Sequence, residues 1–404
     1  MNQPPEARVL APDPMPPEMS YPALFWRFLK FGAMAFGGPV AQIAMIRHEL
    51  VDEEKWISGS HFNKLMAVMQ VLPGPEAHEL CVHLGIRAKG RLGGVLAGLG
   101  FMLPGLMLML ALAWAYTRFP VEGTMMGALF LGVQAAVIAL IFRAVHRIGA
   151  HVLADRWLWL TAILAAAASL AGASFWIVLP AAGIAYAFAS TGRLWQAGLV
   201  VTLAAALATA FLLGTAEAIQ ARVAAAAPTP LALFWSGLKG GLLTFGGAYT
   251  AIPFIRNDTV GRGWMTDAQF LDGLGLSGIL PAPLVIFATF VGFVSGGFPG
   301  ALAITAGMFL PAFAFSLLFY ERLEAMVEDS RLQHFLAGVA AGVVGLIAVT
   351  LISLGRSAAD ASSNLWISLA ILAASLLLLY RWKHRMAPLA VVGLGAAIGL
   401  AILR

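Results

Sequence analysis

Apolar residues fill long, almost unbroken blocks of the chain, at 92–117, 123–143, 157–190, 195–215, 299–320 and 332–354. Each block is long enough for one or more helical crossings of about 20 residues. Four further apolar segments, 24–46, 61–88, 231–255 and 270–293, are interrupted by glycine and proline. The pattern predicts an all-α, polytopic membrane protein. Composition agrees, with 60% hydrophobic residues, 11% charged residues and a mean hydropathy of +0.85, far from the balance of soluble domains.

The net charge of +5 sits mostly in short loops, so it reads as an orientation signal and not as a nucleic-acid footprint. Cys81 is the only cysteine, which excludes an intrachain disulfide. Residues 1–20 are rich in proline and lack the basic start and apolar core of a cleavable signal. They are expected to form a disordered cytoplasmic tail.

The chain also repeats itself. Phe36-Gly37-Gly38 recurs as Phe245-Gly246-Gly247, followed by Arg47 with Arg256, Trp56 with Trp264 and Phe62 with Phe270. Leu72-Pro73-Gly74-Pro75 returns as Leu280-Pro281-Ala282-Pro283. Gly85, Gly90, Gly93, Gly100 and Pro104 match Gly292, Gly297, Gly300, Gly307 and Pro311, and Pro180 matches Pro388. The expected units are 24–190 and 231–403, joined by an unmatched transmembrane helix at 195–215. Each half has an even number of crossings, so one linker span inverts the second half. Loop charge points the same way. Arg87, Lys89 and Arg91 form one basic loop and Arg143, Arg147 and Arg156 another, whereas 294–299 carries no basic residue. The basic group Arg381, Lys383 and Arg385 faces an uncharged counterpart at 173–176. These biases put the N-terminus in the cytoplasm and the C-terminus in the periplasm.

Inverted repeats with discontinuous helices are a transporter architecture whose sites lie near the bilayer midplane. Pro39, Pro75 and Pro283 can each start a half-helix, where the missing N–H costs nothing. Free N–H groups and the positive dipole end make such starts anion sites. The expected substrate residues are therefore Phe36, Gly37, Gly38, Pro39, Pro73, Gly74 and Pro75, with Phe245, Gly246, Gly247, Pro281 and Pro283 in the second half. Lys30 and Lys239 each precede the Phe-Gly-Gly break by six residues, about 9 Å along a helix. They either add charge to the site or snorkel to a headgroup region. Glu76 and Glu79, as intramembrane carboxyls, are candidates for proton coupling. His78, Glu79 and His83 lack further nearby ligands, so no metal is expected. No nucleotide-binding loop is present, and neither a cofactor nor an enzymatic activity is expected.

Phe36-Gly37-Gly38-Pro39, then Trp56 and Phe62, then Pro73-Gly74-Pro75-Glu76, then Gly85 and Gly90 ahead of Leu103-Pro104-Gly105 together resemble the chromate transporter family. The two-domain length is similar to its long-chain members. Ala248 and Ala282 depart from the pattern of Pro39 and Gly74. The resemblance implies chromate export, giving chromate resistance, across a bacterial inner membrane, with sulfate as the related dianion. A dianion leaving a negative-inside cell gains about 4.6 kcal/mol per 100 mV, so export needs no second driver. Sulfate or molybdate uptake and an intramembrane enzyme acting on a lipid-linked substrate are the alternatives. The partners expected are the oxyanion and the bilayer, and a homodimer is left open.

Overall fold

The computed structural model describes residues 14–69, 72–119, 124–224, 227–245, 247–319, 330–362, 364–382, 384 and 386–402. Helix α1 (Tyr21–Ala33) begins at Ser20, whose hydroxyl accepts from the Ala23 amide, and stops short of the first Gly-Gly pair. Helix α2 (Gly38–Arg47) follows the break and continues as a π-helical turn, His48–Glu53. Helix α3 (Gly59–Met69) ends at the Pro-Gly-Pro break, after which Pro75 caps α4 (Glu76–Arg118). Lys89 and Gly90 leave helical geometry, so α4 is a hairpin of two arms, 76–88 and 91–118. Gly90 has φ +65°, a conformation that suits glycine. The arms touch closely because a Cβ on Gly85 would lie only 2.5 Å from that of Ala97, the small-residue packing that membrane helices use. Helices α5 (Met125–Val152), α6 (Arg156–Leu170) and α7 (Phe175–Ser190) complete the first half. At the N-cap of α6, burial works against charge on Asp155. The Tyr186 hydroxyl and the Leu158 and Trp157 amides outweigh it and hold the carboxyl below its ordinary range.

After α8 (Leu194–Ala224) the same order of elements returns. Helix α9 (Pro230–Leu242) is capped by Thr229 as α1 is by Ser20. A 3-10 turn (Ala248–Ala251) and α10 (Ile252–Thr259) stand where α2 and its π turn stood. Helix α11 (Asp267–Ile279) leads to Pro283, a 3-10 turn at Leu284–Ile286, and α12 (Phe287–Phe319), which is again a hairpin, bent at Gly296 and Gly297. Helices α13 (Ser330–Ala361), α14 (Leu365–Arg381) and α15 (Ala387–Ile402) close the chain.

The halves interleave. Helix α5 packs on α14 and α15, while its counterpart α13 packs on α6 and α7, and α4 meets α12 between them. Glycines set the close approaches: Gly132 lies against Gly395 and Gly399, and Gly338 and Gly342 lie against Ala182.

Among the described residues, five helices are long and apolar enough to cross a membrane, and α6, α7, α14 and α15 are shorter apolar helices. The described residues contain no strand, and the chain is an all-α polytopic membrane protein. Helix α8 stands at the edge, with 6% of its apolar window buried. The expected disordered tail falls largely on residues 1–13, outside the described residues. Residues 14–20 carry no helix, and the Pro14 carbonyl accepts from Arg87.

One expectation needs correction. Arg143 and Arg147 belong to the last turns of α5 and not to a loop. Both line a half-open cavity.

Candidate anion-binding site

The four interruptions of the chain meet in the middle of the molecule and bond to one another. At the second break, Gly74 has φ +144° and donates its amide to the Thr244 carbonyl in the third break, at 2.8 Å. Gln42, one turn into α2, donates its Nε2 to Ala35 O in the first break and to Ala282 O in the fourth, both at 2.9 Å. The matched positions make the logic plain. Ala282 corresponds to Gly74 and Ala35 to Thr244, yet the Ala282 amide donates to Leu280 instead. A side chain of the first half supplies what a backbone amide supplies in the other pair.

A cavity of about 330 Å³ opens at this crossing. Gly37, Gly38 and Pro39 line one wall, at the start of α2. Gly37 and Gly38 adopt φ +89° and +78°, and no side chain caps the helix, so its leading N–H groups stay free. Arg143 and Arg147, four residues apart on α5, line the same cavity, as do Tyr249, Ser277 and His384. Neither guanidinium has a carboxylate partner among the described residues. The carboxyl end of α11 contributes a partial negative charge, which two full positive charges outweigh. An adjoining cavity of about 530 Å³ shares Pro39 and Arg147 and adds Glu76, Phe245 and Gly247. Two unpaired cations facing an uncapped helix start are suited to an anion with several acceptor oxygens.

The expected site residues divide accordingly. Gly37, Gly38 and Pro39 line the first cavity, and Glu76, Phe245 and Gly247 line the second. Phe36 stands beside the first break, where its amide donates to Met34. Pro73, Gly74, Pro75, Pro281 and Pro283 are buried in the breaks, behind the cavity walls. Gly246 lies outside the described residues. Glu79 is fully buried against Gly74, and His78 packs edge-on between Phe309 and Phe313. Neither carboxyl oxygen of Glu79 has a hydrogen-bond partner among the described residues.

Lys30 and Lys239 do not meet at one site as expected. Lys30 is exposed in a separate crevice beside Arg27, and Lys239 is ion-paired with Asp258. Their helices run up to the breaks, but neither lysine lines the cavity at the crossing.

The comparisons with known proteins decide the family. A family described as Chromate transporter matches residues 22–189 and 231–400. The chain belongs to the chromate transporter family. A chromate transport protein of Pseudomonas aeruginosa is 62% identical over 402 residues, covering 99% of this chain and 96% of that one. One from Cupriavidus metallidurans is 30% identical over 403 residues, covering 98% and 97%. No solved structure matches. Membership makes this chain a transporter and leaves the intramembrane-enzyme reading without support.

Arg143, Arg147 and Gln42 were not among the expected site residues. Two arginines at i and i+4 inside an apolar helix, and a lone glutamine after a Gly-Gly-Pro break, were the available signals. Removing Gln42 strands two carbonyls in the crossing, each worth about 1–3 kcal/mol when unsatisfied. Gln42→Leu is expected to lower thermal stability in detergent markedly, and a melting temperature equal to the parent's would show that the bridge is dispensable.

Proposed function

We propose that this protein exports chromate across a bacterial inner membrane and so confers chromate resistance. The observation that carries the reading is that Arg143 and Arg147, with no ion pair among the described residues, line one cavity with the uncapped start of α2. A tetrahedral dianion stripped of water needs about two compensating charges, and a helix start supplies only about half of one. Two guanidiniums supply the rest and offer planar pairs of donors to adjacent oxygens. The names of the relatives favour chromate among such dianions. Sulfate has the same shape and charge and is the natural competitor.

Direction follows from energetics. An outward-moving dianion gains about 4.6 kcal/mol per 100 mV of negative-inside potential, over a thousandfold in concentration ratio. Uptake would need more than two co-transported protons to become electrically favourable. Glu76, beside Arg147 in the second cavity, is the carboxyl placed to exchange a proton with the anion site if transport is proton-linked.

The two halves are read as inverted repeats. Their repeated order of elements, the single α8 between them and the basic hairpin turn at Arg87, Lys89 and Arg91 support this. The N-terminus is then cytoplasmic and the C-terminus periplasmic. This places the crossing of the breaks near the midplane, within reach of both sides in turn.

Intact cells carrying the protein should accumulate less chromate than cells without it. Arg143→Gln or Arg147→Gln, at equal membrane abundance, should raise accumulation to the level of cells lacking the protein. Higher accumulation with the parent would mean uptake, and parent-like export by both variants would move the site elsewhere. For orientation, a reporter active only in the periplasm is placed after Arg404 and, separately, in the short connection at 153–155. Activity is expected only after Arg404, and activity at both positions contradicts the inversion.

A further inference from the structure

The two halves differ most sharply at a set of matched charges. Ala23-Leu24-Phe25-Trp26 aligns with Ala232-Leu233-Phe234-Trp235, which sets Lys30 against Lys239 and Arg27 against Ser236. The same register sets Glu49 against Asp258. In the second half, Lys239 is ion-paired with Asp258, tying α9 before the break to α10 after it. Asp258 also accepts from the Ser236 hydroxyl at 2.9 Å and lies 3.9 Å from Arg262.

The first half holds the same parts in another arrangement. Glu49 lies 3.4 Å from Arg27, and Arg27 is also bonded to Glu54. Lys30 is exposed, has no ion-pair partner among the described residues, and shares a crevice of about 460 Å³ with Arg27 and Glu49. Winding differs as well. Glu49 sits in a π-helical turn, whereas the second half has a 3-10 turn followed by α-helix. Isolated π turns are frequent where helices rearrange for function.

We propose that Lys30–Glu49 and Lys239–Asp258 are alternating clamps of the transport cycle, one closed while the other is open. This rests on the inverted-repeat transporter reading. When two inverted halves exchange conformations, the site opens to the opposite side, so each half displays the other's second state. The charges suit that exchange because each carboxylate that must change its partner has another in reach. If Glu49 moves to Lys30, Arg27 keeps Glu54. If Lys239 lets go, Asp258 keeps Ser236 and gains a free approach to Arg262. Neither step leaves a carboxylate buried alone, which would cost several kcal/mol. Lys30 and Lys239 are thus positioning residues, and the substrate touches neither.

Lys30 is exposed and unpaired in this state, so Lys30→Gln leaves the observed contacts intact. The clamp nevertheless predicts that chromate transport in proteoliposomes falls about tenfold or more, while chromate binding to the purified protein stays within about twofold. Lys30→Arg should keep transport. Parent-like transport by Lys30→Gln overturns the proposal. Loss of binding along with transport overturns it too, since Lys30 would then be a ligand. A second readout needs no anion. Lys30→Cys with Glu49→Cys, in a Cys81→Ala background, should cross-link more when an imposed membrane potential shifts the two states. An unchanged yield under both polarities counts against the clamp. Absence of chromate binding by the parent would sink the transport reading instead, and the cross-link would still decide the clamp.

Discussion

A helix broken inside hydrocarbon leaves donors and acceptors that water cannot reach, and only other protein groups can satisfy them. This protein breaks four segments and lets the breaks satisfy one another. Gly74 reaches Thr244 through the backbone, and Gln42 reaches both Ala35 and Ala282 through its carboxamide. Each bond joins a break of the first half to one of the second, or a half-helix to the break before it. The interruptions must therefore cross at one place, and the α4 and α12 hairpins must pack back to back to bring them there.

The rest of the site follows from that crossing. Once the first break is held, α2 starts at the centre with free N–H groups, because Gly37 and Gly38 turn the chain and offer no side chain to cap it. Helix α5 then passes close enough for Arg143 and Arg147 to face that start. Two cations with no ion pair among the described residues are costly in a membrane protein unless water or a ligand meets them, and the proposed dianion would meet both at once. The same crossing lets the halves differ. Glu49 and Asp258 occupy matched positions but hold different partners, which a rigid, symmetric core would not tolerate.

Much of the fold was legible in the sequence because the repeat was long and its glycines and prolines kept register. The breaks at Gly37-Gly38 and at Pro73-Gly74-Pro75 were read from residues whose backbone demands are local. The positions of side chains relative to the other half were not legible, because they depend on packing across more than a hundred residues. Arg143 and Arg147 looked like loop charges since they lie at the end of an apolar run. Only the folded chain shows that they share a cavity with the start of α2 and Tyr249. Lys30 and Lys239 shared a depth by sequence, yet arginine at 27 against serine at 236 lets Arg27 hold Glu49, and Lys30 lacks the ion pair that Lys239 makes with Asp258. Gln42 was passed over because its partners, seven and 240 residues away, come together only in the folded chain.

The central claim is that the anion sits where the breaks cross, between α2 and the α5 arginines. Crystals of the transporter soaked in chromate, with anomalous diffraction measured at the chromium edge, test it most directly. The account predicts one strong peak within about 4–5 Å of both guanidiniums and of the Gly38 amide, as hydrogen-bonded oxygens about 2.8 Å from their donors require. A peak beside Lys30 or Lys239, with the central cavity empty, would contradict it.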